Sequence, residues 1–180
     1  MTFSNPASQA KETAAAYVKA LMDLLGDRDP FEVQSQLLLS LQTEIKSLND
    51  ATLRRPEKSG KWSIMQVIHH LAETELVYRY RMRMILAQPA PEIQGYDQDM
   101  WATELKYNEM DLDEALEIIR VLRSANLKML RGLSEAQWER YGMHSERGPE
   151  SIRKIMQMIA AHDLLHLNQI KRIKKAHGIL

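Results

Sequence analysis

Between Ser63 and Ala87, and again between Ser151 and Ala176, the sequence contains neither glycine nor proline. In both runs apolar residues recur at the spacing of an α-helix. Ser63-Ile64-Met65-Gln66 has the form of a capping box, and Ser151 is a second N-cap. The first run must finish near Ala87 because Pro89 and Pro91 follow, and the second stops before Gly178. Two long helices of this kind need other helices to cover their apolar stripes. Glycine (7) and proline (6) are too scarce for a turn-rich sandwich or barrel. The expected fold class is therefore all-α, a helix bundle.

The remaining starts are equally marked. Asn5-Pro6 opens an N-terminal helix to about Leu25, stopped by Gly26. Asp29-Pro30-Phe31-Glu32 opens a second, with Phe31, Leu38, Leu41, Ile45 and Leu48 on one face. The polar stretch Arg54 to Gly60 ends that segment. Residues 88–110 are the weakest for regular structure, with one short helix near Gln98 to Leu105, and read as a long crossover. Asp111 caps a helix that ends at Gly132, Ser134 to Gln137 begins a short turn, and Tyr141 to Pro149 is a loop. No segment carries a strand signal. A single domain over 1–180 is expected, with a helical extension (1–28) ahead of a core bundle (31–175).

Of the 180 residues, 44% are apolar and 27% charged, with Lys+Arg and Asp+Glu balanced at 24 each. That balance supplies no field for nucleic acid or an anionic membrane. No apolar run exceeds the stretch Ala14 to Val18, and the first residues lack a signal-peptide pattern, so a cytoplasmic protein is expected. Lys171, Arg172, Lys174 and Lys175 read as complements to the final helix dipole. There is no cysteine. Disulfides, a thiolate nucleophile and Cys-ligated metals are excluded, so a metal would need His, Asp or Glu, and thiol chemistry would need a thiol from outside.

Polar residues inside the apolar stripes carry the chemistry. On the last helix His162, Asp163 and His166 share the stripe of Ile152, Ile155, Met156, Ile159, Ile170 and Ile173. Two histidines one turn apart form a bidentate metal platform or a pair of core histidines satisfied by neighbours. On the 63–87 helix, His69 falls opposite the stripe and is assigned to the surface. His70 falls on its flank, where a ligand could sit. Glu73, one turn from both, could support a His-bound metal or contact His69. Asn126 falls in the stripe of the 112–131 helix, as a pocket residue or a hydrogen-bonded core amide. His144 lies in the loop leading into the last helix, and His177 is expected at the surface. His70, His162 and His166 together fit a tridentate divalent-metal site with an open position. Imidazole suits zinc, nickel, iron and copper alike. Without Glu-x-x-His pairs a di-iron site is disfavoured.

Lys61-Trp62-Ser63 through His69-His70-Leu71-Ala72-Glu73 resembles the first signature of the DinB/YfiT-like superfamily, in which a metal-binding histidine follows the tryptophan by eight residues; here that is His70. Ala161-His162-Asp163-Leu164-Leu165-His166 resembles the last signature, whose histidines complete a metal triad. Tyr96-Asp97-Gln98-Asp99-Met100-Trp101 and His144-Ser145-Glu146-Arg147-Gly148 resemble landmarks between them. The resemblance implies a four-helix bundle of up-down-down-up connectivity with nickel or zinc at one end, and the N-terminal helix as an addition. It implies transfer of a low-molecular-weight thiol (bacillithiol, mycothiol or glutathione) to an electrophilic small molecule. The alternatives are a metal-dependent hydrolase and a non-catalytic metal-binding bundle. Tyr96, Asp97, Trp101 and His144 become pocket candidates by the same resemblance. A small-molecule partner is expected, no nucleic acid or membrane, and a homodimer is admissible.

Overall fold

Side-chain caps start the helices where the sequence offers them. Asp29 accepts from the Phe31 amide at the head of α2 (Pro30–Ile45), which begins with proline. Ser63 and Gln66 form a complete capping box on α4 (Ile64–Ala87). Asp111 caps α6 (Leu112–Arg131) through the Glu114 amide, and Ser134 with Gln137 boxes the short α7 (Glu135–Trp138). Ser151 caps α8 (Ile152–Ala176). The computed structural model describes the backbone from residue 11 and side chains from residue 14 onward. It places α1 at Lys11–Leu25, ending at Gly26, and the expected cap at Asn5-Pro6 lies outside the described residues. A short α3 (Asp50–Arg54), capped by Asn49, leads into the expected polar stretch.

The bundle consists of α2, α4, α6 and α8, each packed on two others. Glu75 meets Arg123 and Arg79 meets Asn126, so α4 and α6 run in the same direction. Gln34 reaches Met156 and Glu44 reaches Lys174, so α2 and α8 are also parallel. Met82 and Ile85 near the end of α4 pack with Ile152 and Ile155 at the start of α8, so those two run opposite ways. The order is up-down-down-up, and it requires a crossover between the parallel α4 and α6. Residues 88–111 supply it, with α5 (Gln98–Glu104) and a 3₁₀ turn at Tyr107–Glu109. On the outside, Tyr17, Leu21 and Leu25 of α1 cover Met158, Ala160 and Ala161 of α8.

Two expectations are corrected. The crossover and the 141–149 loop carry strands: β1 (Glu92–Ile93) pairs in parallel with β2 (Tyr141–His144), which pairs antiparallel with β3 (Gly148–Ser151). Strands this short leave almost no alternation to read. A Cβ on Gly142 would lie 2.8 Å from Ile93 and 3.0 Å from Ile85, so glycine lets the sheet sit against the end of α4. The α2 face is centred on Gln34, Leu37 and Leu41, with Leu38 at its edge, because α2 packs between α6 and α8. The helix ends at Ile45, so Leu48 arrives from the following turn. The basic end of α8 is ion-paired: Arg172 with Glu57 at 2.8 Å and Lys174 with Glu44 at 2.8 Å. Among the described residues no helix is long and apolar enough to cross a membrane.

Candidate metal centre

His162 and His166 project from one side of α8 toward α4, which presents His70. The Nε2 atom of His162 lies 3.0 Å from that of His70 and 3.0 Å from that of His166. The three groups offer ligand atoms within 4.8 Å of one another, and all three side chains are buried. Gln169 Oε1 is 2.7 Å from His166 Nδ1, which donates to it and leaves the Nε2 lone pair facing the cluster. Burial holds His70 and His162 well below the ordinary histidine pKa, reinforced by the neighbouring imidazoles. His166 is lowered to about 4 by burial, against the opposing Gln169 bond. Neutral imidazoles with converging lone pairs are the form a metal takes up. Nitrogens bound to one zinc-sized cation lie roughly 3 Å apart, so the spacing fits such an ion. Among the described residues, His162 Nδ1 is buried without a hydrogen-bond partner and no carboxylate joins the cluster. The Trp62 ring lies 5.1 Å from that of His70 and stacks on His166 at 6.4 Å.

A second polar cluster begins one residue away. Asp163 receives two bonds from Arg123, at 2.5 and 3.0 Å, and Arg123 also binds Glu75 at 2.6 Å. Asn126 donates to Glu75 at 3.2 Å and accepts from Arg79 at 3.1 Å. Asp163 is raised to about 6 by burial, with Glu75 adding to it, while Arg123 pulls it back. Asp163 and Asn126, pocket candidates from the sequence, are placed in this network between helices.

One member of the triad, His162, lines a pocket. His70, Thr74, Tyr78 and Arg81 form one stripe along α4, and all but His70 line the pocket with His162. The crossover contributes Tyr96, the β2–β3 hairpin contributes His144 and Arg147, and α1 contributes Tyr17. Tyr96 is raised to about 12 by burial, and its ring packs 4.5 Å from Trp101. Burial, with the Arg147 charge, lowers His144 to about 4. Its Nδ1 accepts from the Glu146 amide at 3.2 Å, and its buried Nε2 has no partner.

The other candidates are distributed around this site. Trp101 supports Tyr96 from behind, and Asp97 caps α5 through the amides of Asp99 and Met100. Glu73 is half-buried and outside the histidine cluster, its carboxyl raised by burial and by Glu114. His69 corrects the surface assignment: it is buried, with its ring 6.0 Å from that of Tyr107. The crossover folds over the outer flank of α4, which helical phase alone cannot register. His177 is half-buried and its Nε2 lies 3.0 Å from the Pro56 carbonyl. Gln169, Arg81, Arg147 and Tyr17 were not singled out from sequence. Arg81 could have been found by extending the face of His70 by three turns, and Gln169 by looking one turn beyond His166.

Residues 32–170 match the DinB superfamily. The chain is 33% identical over 135 residues to a "Putative metal-dependent hydrolase" of Oceanobacillus iheyensis, covering 75% of this chain and 78% of that protein. A Bacillus licheniformis protein with the same description is 28% identical over 141 residues, 77% of this chain and 79% of the relative. Among solved structures, YfiT from Bacillus subtilis, described as "a probable metal-dependent hydrolase with an unusual four-helix bundle topology", aligns with a TM-score of 0.76. That alignment has 20% identity and covers 98% of this chain and 94% of YfiT.

Proposed function

This chain belongs to the DinB superfamily, and from that premise we propose that it is a metal-dependent enzyme whose divalent ion is held by His70, His162 and His166. The observation that carries the reading is the meeting of three buried Nε2 atoms beside a pocket that His162 lines. Zinc or nickel is the ion the family resemblance implies, and an all-imidazole donor set suits either. A divalent ion held by three neutral imidazoles supplies a Lewis-acid charge that lowers the pKa of a thiol or water in its open position.

The nucleophile of this proposal is a low-molecular-weight thiol of the bacillithiol, mycothiol or glutathione kind. Among the described residues no carboxylate joins the histidines to act as a general base, and the chain has no cysteine of its own. A thiol needs less help from a base than water does, because its ordinary pKa is already near 8.5. In the step, the thiol proton leaves to solvent, the sulfur pair bonds to an electrophilic carbon, and the leaving group departs with the pair of the broken bond. Gln169 fixes the ring of His166, and Trp62 closes one side of the triad against water. Hydrolysis is the second reading, favoured by the description of the relatives as metal-dependent hydrolases.

Metal-loaded protein assayed with 1-chloro-2,4-dinitrobenzene and a panel of nitrophenyl esters, with and without each thiol, separates the two. Transfer requires thiol and is abolished by chelation or His166→Ala. Ester turnover that needs no thiol and is suppressed by one supports hydrolysis instead.

A further inference from the structure

Arg81 is 6% exposed and lies in the pocket wall between the rings of Tyr78 and Tyr96, 5.7 Å from each centroid. Its NH2 donates to the Gln94 carbonyl at 2.6 Å. Among the described residues it forms no ion pair. The neighbouring Arg147 is paired with Glu150, at 2.6 and 3.0 Å, and Glu146 and Glu150 of the same hairpin act on Arg81 only through space, without direct contact. A buried guanidinium without a carboxylate in direct contact is costly, and it is tolerated where a ligand supplies one. His144 adds a second incomplete donor. Because its Nδ1 accepts from the Glu146 amide, the proton sits on Nε2, which is buried without an acceptor.

We propose that this end of the pocket binds the carboxylate of a small organic acid, with Arg81 as the counter-charge and the His144 Nε2–H as a further donor. The planar guanidinium matches a carboxylate in shape and charge. Arg81 follows His70 by about three turns of α4, and its side chain lines the same pocket as His162. A small ligand can therefore place its anionic end here while its reacting atom lies toward the histidines. This assignment deepens the proposed enzymatic reading and rests on it for which end of the ligand reacts. The carboxylate can belong to the thiol or to its electrophilic partner.

The test compares acids with their uncharged amides by calorimetry: N-acetylcysteine against N-acetylcysteine amide, and glutarate against glutaramide, with inorganic phosphate as a further arm. Each is titrated into metal-loaded and into chelated protein. At least one acid should bind about 10- to 100-fold more tightly than its amide. Arg81→Met should bring that ratio close to unity while leaving amide binding unchanged, and Arg81→Lys should retain part of it. Preference confined to the thiol pair assigns the carboxylate to the thiol, and preference in the glutarate pair assigns it to the partner. His162→Ala should remove the effect of metal on the thiol pair yet keep the acid preference. If metal has no effect but the preference persists, the enzymatic reading fails and the carboxylate site stands. Equal binding of acid and amide, no binding of either, or phosphate bound more tightly than both acids would overturn the proposal. So would equal weakening of acid and amide by both Arg81 variants, which would make the arginine a purely structural strut.

Discussion

His162 and Asp163 are neighbours in the chain, yet they belong to buried clusters of opposite character. Asp163 sits where Arg123, Glu75, Asn126 and Arg79 satisfy one another through hydrogen bonds. His162 sits where three lone-pair nitrogens face each other and a ring nitrogen has no partner. Buried polar groups are normally paired. The first cluster obeys that rule with protein atoms alone and holds α4, α6 and α8 in register. The second leaves the rule unmet, as does the pocket beside it at Arg81 and His144. On the proposed reading, the closed network serves the fold and the open clusters are where a ligand binds.

The largest expected effect tests the closed cluster. Arg123→Met strands two buried carboxylates and should cost about 3–5 kcal/mol in urea denaturation of chelated protein. His162→Gln under the same conditions should change stability by less than about 1 kcal/mol, since it removes a group whose hydrogen bonding is already incomplete. Equal losses would break the comparison. Next comes the support of the triad. Gln169→Ala should weaken metal affinity about 10- to 100-fold with little change in stability, because it frees the His166 ring. Asn126→Ala should do the reverse, costing about 1–3 kcal/mol with metal affinity intact.

The smallest effect is acid sensitivity at His144. Its folded pKa, about 4, lies below the ordinary 6.5. The folded protein therefore binds fewer protons than the unfolded chain between those values, and stability falls as pH falls. Between pH 6.5 and 5.5 this one residue costs about 1 kcal/mol. His144→Gln should flatten denaturation midpoints over that range by a corresponding amount. A pH dependence identical to that of the parent would show that the residue is not held neutral by burial.

The caps and stripes made the helices legible because each is a local signal. The histidine pair on α8 was legible for the same reason, and phase placed His70 where α4 could meet it. What escaped depended on distant chain. His69 read as exposed until the crossover covered it, and β1 to β3 pair across residues far apart in sequence. Asn126 stood out in its stripe, but its partners Glu75 and Arg123 emerge only when α4 and α6 are aligned in parallel. Arg81 is one of several arginines on α4, and only the fold shows Tyr78 and Tyr96 packed around it.

If His70, His162 and His166 hold one divalent ion, as proposed, X-ray absorption at the metal edge of protein loaded with zinc or nickel should show three imidazole nitrogens at about 2.0–2.2 Å from one metal. The spectrum should be unchanged in His69→Ala and His177→Ala, and the bound metal should be lost in His162→Ala. Fewer than three imidazoles in the parent protein, or the same metal content and spectrum in all three variants, would contradict the proposal.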